Sequence, residues 1–326
     1  MSKLVTIYGG SGFVGRYVAR RLAKAGWRIR VACRNPNDAM FVRPYGTVGQ
    51  VEPVFCNIRD DASVRSVLQG ADAVVNCVGI LAETGANGFE AVQHEGAERI
   101  ARIAAEEGVG RMVHVSAIGA DEDSDSEYSQ TKALGEDGIL AHMPDAVILR
   151  PSIIFGAEDD FFNRFAGMTR LGPILPIAGA DTKFQPVYVD DVAQAVAMGV
   201  TGDATPGIYE LGGPDINTFR ELMEQMLEVI CRRRLVFGMP FWMANAIATV
   251  SWAVQGISLG LVPAQITNDQ VANLRRDNVV SDGAHGFEAL GIAPTSLEAV
   301  LPEYLWRFRP SGQYEAITSS AKNLKT

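Results

Sequence analysis

The chain has 326 residues, with 29 Lys+Arg against 38 Asp+Glu and a formal charge of −9. At 47 % hydrophobic and 21 % charged it has the balance of a globular protein with a sizeable core, long enough for two domains. The acidity excludes a nucleic-acid binder, and four cysteines (Cys33, Cys56, Cys77, Cys231) without a CxxC pair read as buried thiols in a reducing compartment, neither a disulfide framework nor a metal site.

The first strand is expected from Lys3, which leaves no room for a signal or transit peptide. Strands are then predicted at Leu4–Tyr8, Ile29–Cys33, Val51–Phe55, Ala73–Val78, Arg111–Ser116 and Ala146–Arg150. Between them lie amphipathic stretches at Val14–Ala25, Ala62–Gln69, Phe89–Glu107 and Tyr128–His142. Strands alternating with helices of this length predict βαβ units in a doubly wound parallel sheet of Rossmann type, and the apolar runs VTIY, AVVNCV and MVHVS suit strands covered on both faces. After Pro151 the pattern loosens, with Gly172-Pro173 and Gly179 punctuating residues 157–185. A strand-like PVYV run precedes a helix at Val192–Val200, a strand follows at Gly207–Gly213, and Thr218 caps a helix reaching Ile230 with Glu221 at its third position. The expected division is a nucleotide-binding domain over 1–155, with a returning segment at about 186–215. A small, interwoven C-terminal α/β domain is expected from 156–185 and 216–326. Residues 231–326 carry 9 Lys+Arg and 7 Asp+Glu, a net of +2, against 20 and 31 in residues 1–230. Within that basic third, Arg232-Arg233-Arg234 precede an uncharged stretch, 235–268, that holds Phe241, Trp242 and Trp252. Prolines and glycines break it, so it reads as an interfacial or partner-facing segment or as core, and least as a membrane span.

Gly9-Gly10-Ser11-Gly12-Phe13-Val14-Gly15 directly follows the first strand. Gly9 allows the sharp turn, Gly12 lets the backbone approach a pyrophosphate, and Gly15 lets helix pack on strand. The helix N-terminus supplies amide donors and a positive dipole end. An NAD site would place a carboxylate at the end of the second strand, but that place reads Cys33-Arg34-Asn35. Arg34 suits a 2′-phosphate, so NADP(H) is expected over NAD(H). Tyr128 and Lys132, four apart, share a helical face, where an ammonium can stabilise a phenolate, and Ser116 ends the preceding strand beside them. The acidic run Asp121–Glu127 lies where a substrate would enter and would repel a phosphorylated one.

The glycine loop, VVNCVG at 74–79, Ser116, YxxxK and RPSIIFG at 150–156 resemble the short-chain dehydrogenase/reductase superfamily, extended or atypical branch, over about residues 1–215. GGSGFVGR, YSQTKALGE, LRPSIIFGAEDDFFNRF, FQPVYVDDVA and YELGGP resemble more closely the nucleotide-binding accessory subunits of respiratory complex I, in their bacterial form. That resemblance implies that Gly9 to Gly15 cradle the phosphates and that Arg34 faces the 2′-phosphate. It places Asn57 and Ile58 at the adenine, Val78 and Gly79 at the ribose, Lys132 at the nicotinamide ribose hydroxyls, and Pro151 and Ser152 near the nicotinamide, with Tyr128 also among the cofactor-binding residues. Tyr8 stands where the family has Thr, and Asn57 where it has Asp. The implied function is an accessory subunit that holds NADP(H) as a structural cofactor, with Ser116, Tyr128 and Lys132 vestigial. Its implied partners are other complex I subunits and anionic lipid, at the cytoplasmic face of the bacterial inner membrane. A free-standing NADP-dependent reductase or epimerase is the alternative.

Overall fold

The computed structural model describes residues 2–257 and 267–314. The chain runs β1 (Leu4–Tyr8), α1 (Phe13–Lys24), β2 (Arg28–Cys33), β3 (Val51–Phe55), α2 (Asp61–Leu68), β4 (Ala73–Asn76), α3 (Glu95–Glu106), β5 (Met112–Val115), α4 (Glu127–His142) and β6 (Val147–Pro151). There follow β7 (Ile154–Phe155), α5 (Phe161–Met168), β8 (Ile174–Ala178), β9 (Lys183–Phe184), β10 (Val187–Tyr188), α6 (Val189–Thr201) and β11 (Gly207–Leu211). Last come β12 (Asn217–Thr218), α7 (Phe219–Val229), β13 (Leu235–Met239), α8 (Phe241–Ile257), α9 (Asn268–Asn273) and α10 (Leu297–Leu305). The six strands predicted before residue 151 are all present, with ends moved by no more than two residues. Part of the uncharged stretch, 258–266, lies outside the described residues.

Two compact units result. Unit 1 comprises Met1–Ser152, Val189–Gly212 and Val280–Pro294; unit 2 comprises Ile153–Tyr188, Gly213–Val279 and Thr295–Thr326. The second return, Val280–Pro294, was expected in the small domain. It belongs with unit 1 because Ser281 N donates to the Glu210 carboxylate at 2.7 Å and Phe287, Leu290 and Ile292 are buried.

Unit 1 is a seven-stranded parallel sheet in the order β11-β6-β5-β4-β1-β2-β3. The order reverses beside β1, so the loop after β1 opens at the switch point where such sheets take their ligands. Alternation along β1 shows both faces covered. Thr6 and Tyr8 donate to the Val67 and Val64 carbonyls of α2 at 2.7 and 3.0 Å, while Val5 and Ile7 are fully buried on the other side. Tyr8, in the place of the family's Thr, is thus a core residue that pins α2. Around it lies an apolar layer that includes Val64, Leu68, Ile100, Ile103 and Ile139. On the opposite face Arg21 of α1 makes a bidentate pair with Asp190 of α6, both bonds 2.9 Å.

Unit 2 gathers an aromatic core in which Phe161, Phe165, Phe184 and Phe219 stack edge-on or tilted, ring centroids 5.3–6.3 Å apart. The predicted Thr218 cap is a full capping box: Thr218 Oγ1 accepts from Glu221 N and the Glu221 carboxylate accepts from Thr218 N. β8 and β13 pair in parallel, Leu235 beside Ile174, with Leu175, Ile177 and Val236 turned into the core.

Candidate nucleotide-binding site

The loop after β1 has the shape its glycines predict. Gly9 sits at φ +72°, and Gly12 N donates to its carbonyl at 2.9 Å, closing the turn that starts α1. A Cβ on Gly15 would lie 2.3 Å from Gly9 O and 2.6 Å from Gly10 Cα, so no larger residue fits without opening the loop. Gly12 differs: a Cβ there meets only Gly9 O, at 3.1 Å. Its remaining surroundings are open, and it is exposed at the N-terminus of α1, where free amide donors and the dipole favour an anion. Sequence reading passed over Arg16. Its guanidinium donates to Gly12 O and Ser11 O at 3.1 and 3.2 Å and lies 4.7 Å from the Phe41 ring centroid, bracing the loop from behind.

Arg34 is exposed at the end of β2 and makes no hydrogen bond or ion pair among the described residues. Cys33 beside it is buried, and its thiol is pushed up by burial, against a hydrogen bond with Ser11. Asn57 Oδ1 accepts from Arg59 N at 3.2 Å, and its backbone N donates to Ser63 Oγ, leaving the side-chain amide to meet a base. Ile58 packs toward Gly96 of α3, and Val78 N is fixed by Asn76 Oδ1 at 3.0 Å.

Lys132 arrives from α4 and is almost fully buried, donating to the backbone carbonyl of Val115 at 3.2 Å. Burial pushes its ammonium down to about 8, against the attraction of Glu136 and Cys77. A Cβ on Gly79 would lie 3.5 Å from Lys132 Nζ and 3.9 Å from Gln93 Oε1. Gln93 Oε1 is buried without a partner among the described residues, as are both ring nitrogens of His114. Gly79, Lys132 and Gln93 thus form a small polar cradle that a side chain would fill and that a ribose hydroxyl suits. Gln93 sits on the π-turn Glu90–His94, and neither it nor His114 carries a spacing signal in the sequence. Tyr128 stands one turn before Lys132, edge-on to Phe89 at 6.0 Å. Its helix is capped by Ser126, whose Oγ accepts from Ser129 N.

Ser116 behaves unlike a substrate-orienting hydroxyl. Its Oγ donates to the carboxylate of Glu136, itself buried and gripped by Arg150 at 2.6–3.1 Å. Arg150 also faces Glu210 of β11 at 3.9 Å. The next residues, Ala117 and Ile118, have no hydroxyl. Pro151 and Ser152 close the end of β6, where Ser152 N donates to Leu211 O at 2.9 Å. In the acidic loop, the Glu122 carboxyl is pushed up by its hydrogen bond to Asp137 and by like charges around it. The structure therefore brings Gly9–Gly15, Arg34, Asn57, Val78, Gly79, Tyr128 and Lys132 to the strand ends of one sheet, and turns Ser116 away into an ion-pair network.

The family model described as NAD dependent epimerase/dehydratase family matches residues 5–212. The chain is similar, at 36 % identity over 98 % of its length and 81 % of the relative's, to NADH dehydrogenase (ubiquinone) 1 alpha subcomplex subunit 9, mitochondrial, of Arabidopsis thaliana. It is 30 % identical to the ceramide reductase of Caulobacter vibrioides, over 73 % of this chain and 74 % of that one. Among solved structures, Thermus thermophilus UDP-glucose 4-epimerase in complex with NAD superposes with a TM-score of 0.70 at 18 % identity, covering 94 % of this chain and 99 % of that one, a likeness of fold.

Proposed function

The chain belongs to the NAD dependent epimerase/dehydratase family, and we propose that it is an accessory subunit of a proton-pumping NADH:quinone oxidoreductase that holds NADP(H) as a structural cofactor. The observation that carries this reading is near-full-length similarity to a subunit of that enzyme, which extends through unit 2 and not only through the nucleotide fold. The residues fit the cofactor. The glycine loop and the N-terminus of α1 would hold the pyrophosphate, Arg34 the 2′-phosphate, the Asn57 amide and Ile58 the adenine. Val78, Gly79 and Lys132 would hold the ribose nearest the nicotinamide, and Pro151 and Ser152 would flank the ring. When bound and reduced, the cofactor can supply a hydride. The chain offers Tyr128 for a proton, whereas the Ser116 hydroxyl, which would polarise a carbonyl, is committed to Glu136. This favours retention of the cofactor over its turnover.

In this reading the chain sits peripherally at the cytoplasmic face of the bacterial inner membrane, against other subunits and anionic lipid. Among the described residues no helix is long and apolar enough to cross a membrane. A second reading, a free-standing NADP-dependent reductase, is favoured by the intact Tyr128–Lys132 spacing and by the similarity to a reductase. Affinity purification from gently solubilised membranes, with mass spectrometry and nucleotide analysis of the eluate, decides between them. Co-elution with flavin- and iron–sulfur-containing subunits and stoichiometric NADP(H) is expected. Elution alone, with turnover of a carbonyl substrate, overturns the accessory role. Within the complex, Tyr128→Phe is expected to leave quinone reduction almost unchanged.

A further inference from the structure

Arg170, Arg232–Arg234 and Arg309 of unit 2 gather at the ends of three helices, and Arg307, whose Nη2 donates to Ala157 O and Asn163 Oδ1 at 3.3 and 2.5 Å, lies against the Phe308 ring beside them. Arg234 Nε donates to the carbonyl of Thr169, the C-cap of α5, at 2.9 Å, and Arg309 Nε donates to that of Val229, the last residue of α7, at 2.7 Å. Arg232 Nε and Arg170 donate to the carbonyls of Phe308 and Arg307 at 2.8 and 3.0 Å, in the short helix Trp306–Phe308 that prolongs α10. Arg170 and Arg307 both lie over the Phe308 ring, 5.0 and 5.3 Å from its centroid. Arg233 is exposed between its two tethered neighbours.

Helix C-termini attract cations, so part of this gathering is end-capping. Three ends supply about −0.5 charge each, roughly −1.5 in all, against six full positive charges. In unit 1, Arg21, Arg65, Arg99, Arg102 and Arg150 each face a carboxylate. None of these six does among the described residues, although Glu228 and Glu303 are exposed on α7 and α10. Each guanidinium has five N–H groups and spends at most two in hydrogen bonds among the described residues, so several remain available.

Apolar side chains adjoin the cluster. Leu171 follows Arg170 and is 88 % exposed; Leu235 follows Arg234 and is 64 % exposed. Ile174 pairs with Leu235 across β8 and β13, and Phe237 lies further along β13, both exposed. Fixed guanidinium groups bordering projecting Leu, Ile and Phe match a headgroup layer above acyl chains better than the acidic face of a protein, which offers no apolar bed.

We propose that Arg170, Arg232–Arg234, Arg307 and Arg309 form a binding site for the phosphates of anionic phospholipid, with Leu171, Ile174, Leu235 and Phe237 entering the bilayer surface. This deepens the peripheral placement above and rests on it. The test uses full-length, nucleotide-loaded protein in flotation with phosphatidylcholine vesicles and with equimolar phosphatidylcholine–phosphatidylglycerol vesicles. Binding to the anionic vesicles, weak binding to the neutral ones and loss in high salt are expected. Each unit of charge removed should weaken binding about fivefold. Arg233→Glu, whose guanidinium has no partner among the described residues, should therefore weaken it about 25-fold without lowering thermal stability. Arg170→Lys with Arg307→Lys should retain most of it, and Arg170→Gln with Arg307→Gln should not. Equal binding to both vesicle types, or undiminished binding by Arg233→Glu, overturns the site. So does a wild type that ignores anionic vesicles while still co-purifying with the other subunits, a result that keeps the accessory role and assigns the arginines to an acidic protein face.

Discussion

Lys132 is a cation that the fold buries almost completely. In the unfolded chain its ammonium titrates near 10.5; buried, it is pushed down to about 8. Between those values the unfolded chain binds more protons, so stability should rise with pH above about 8. The Cys77 thiol, pushed up by burial from 9.0 to about 12, acts in the opposite sense above pH 9, so the rise is cleanest between about 8 and 9. Lys132→Met removes a desolvated charge worth about 3 kcal/mol and should raise the melting temperature of the nucleotide-free protein by a few degrees. The same variant should retain less NADP(H), because the cradle with Gly79 and Gln93 loses its donor. Melting curves with and without nucleotide check both halves, and a lower melting temperature without nucleotide contradicts the burial argument. The two loop glycines separate in the same assay. Gly15→Ala should unfold the loop whatever the ligand, since its Cβ meets backbone at 2.3 Å. Gly12→Asp should fold, yet fail to gain the roughly 2.7 kcal/mol that nucleotide at 100 times its dissociation constant gives the wild type.

At the scale of elements, α4 shows why position matters more than amphipathic pattern. Lys132, Gly135, Glu136 and Ile139 are all buried, on a helix with no clean polar face. A Cβ on Gly135 would lie 2.2 Å from Gln93 O, so this glycine is what lets α4 close on the π-turn before α3. Glu136 then reaches Ser116 on one side and Arg150 on the other, tying α4 to β5 and β6. Glu136→Leu leaves Arg150 with only Glu210 and should destabilise by about 3–5 kcal/mol, read from chemical denaturation. The end of α7 makes the opposite prediction. Cys231, exposed and not buried as its composition class suggests, is the sole non-glycine residue with positive φ (53°) among the described residues. Arg232 N donates to Leu227 O at 3.1 Å, a Schellman turn that delivers the chain into the arginine cluster. Glycine takes that conformation without strain, so Cys231→Gly should stabilise by about 1 kcal/mol.

For the whole molecule, cofactor choice tests the sequence reading most directly. Purified protein should carry NADP(H), and Arg34→Asp should weaken it by about 2–4 kcal/mol through a lost charge-assisted contact and new repulsion; extraction of NAD(H) from the wild type contradicts this. The place of Arg34 at the end of β2 was legible because strand, glycine loop and strand end follow one another within about 30 residues, a span in which chain geometry itself sets position. The sheet was legible for the same reason: apolar alternation and run length record how each segment is buried. Capping at Thr218 was equally local. What only the tertiary structure decided lies between segments distant in sequence. Ser116 reads as a site residue by its place at a strand end, but its proton goes to Glu136, 20 residues on, held by an arginine from another strand. Val280–Pro294 carries no mark of its return to unit 1. Arg170, Arg232–Arg234, Arg307 and Arg309 become one cluster only when three helix ends meet, because a hydrogen bond requires atoms within about 3 Å, and packing, not local periodicity, sets that distance.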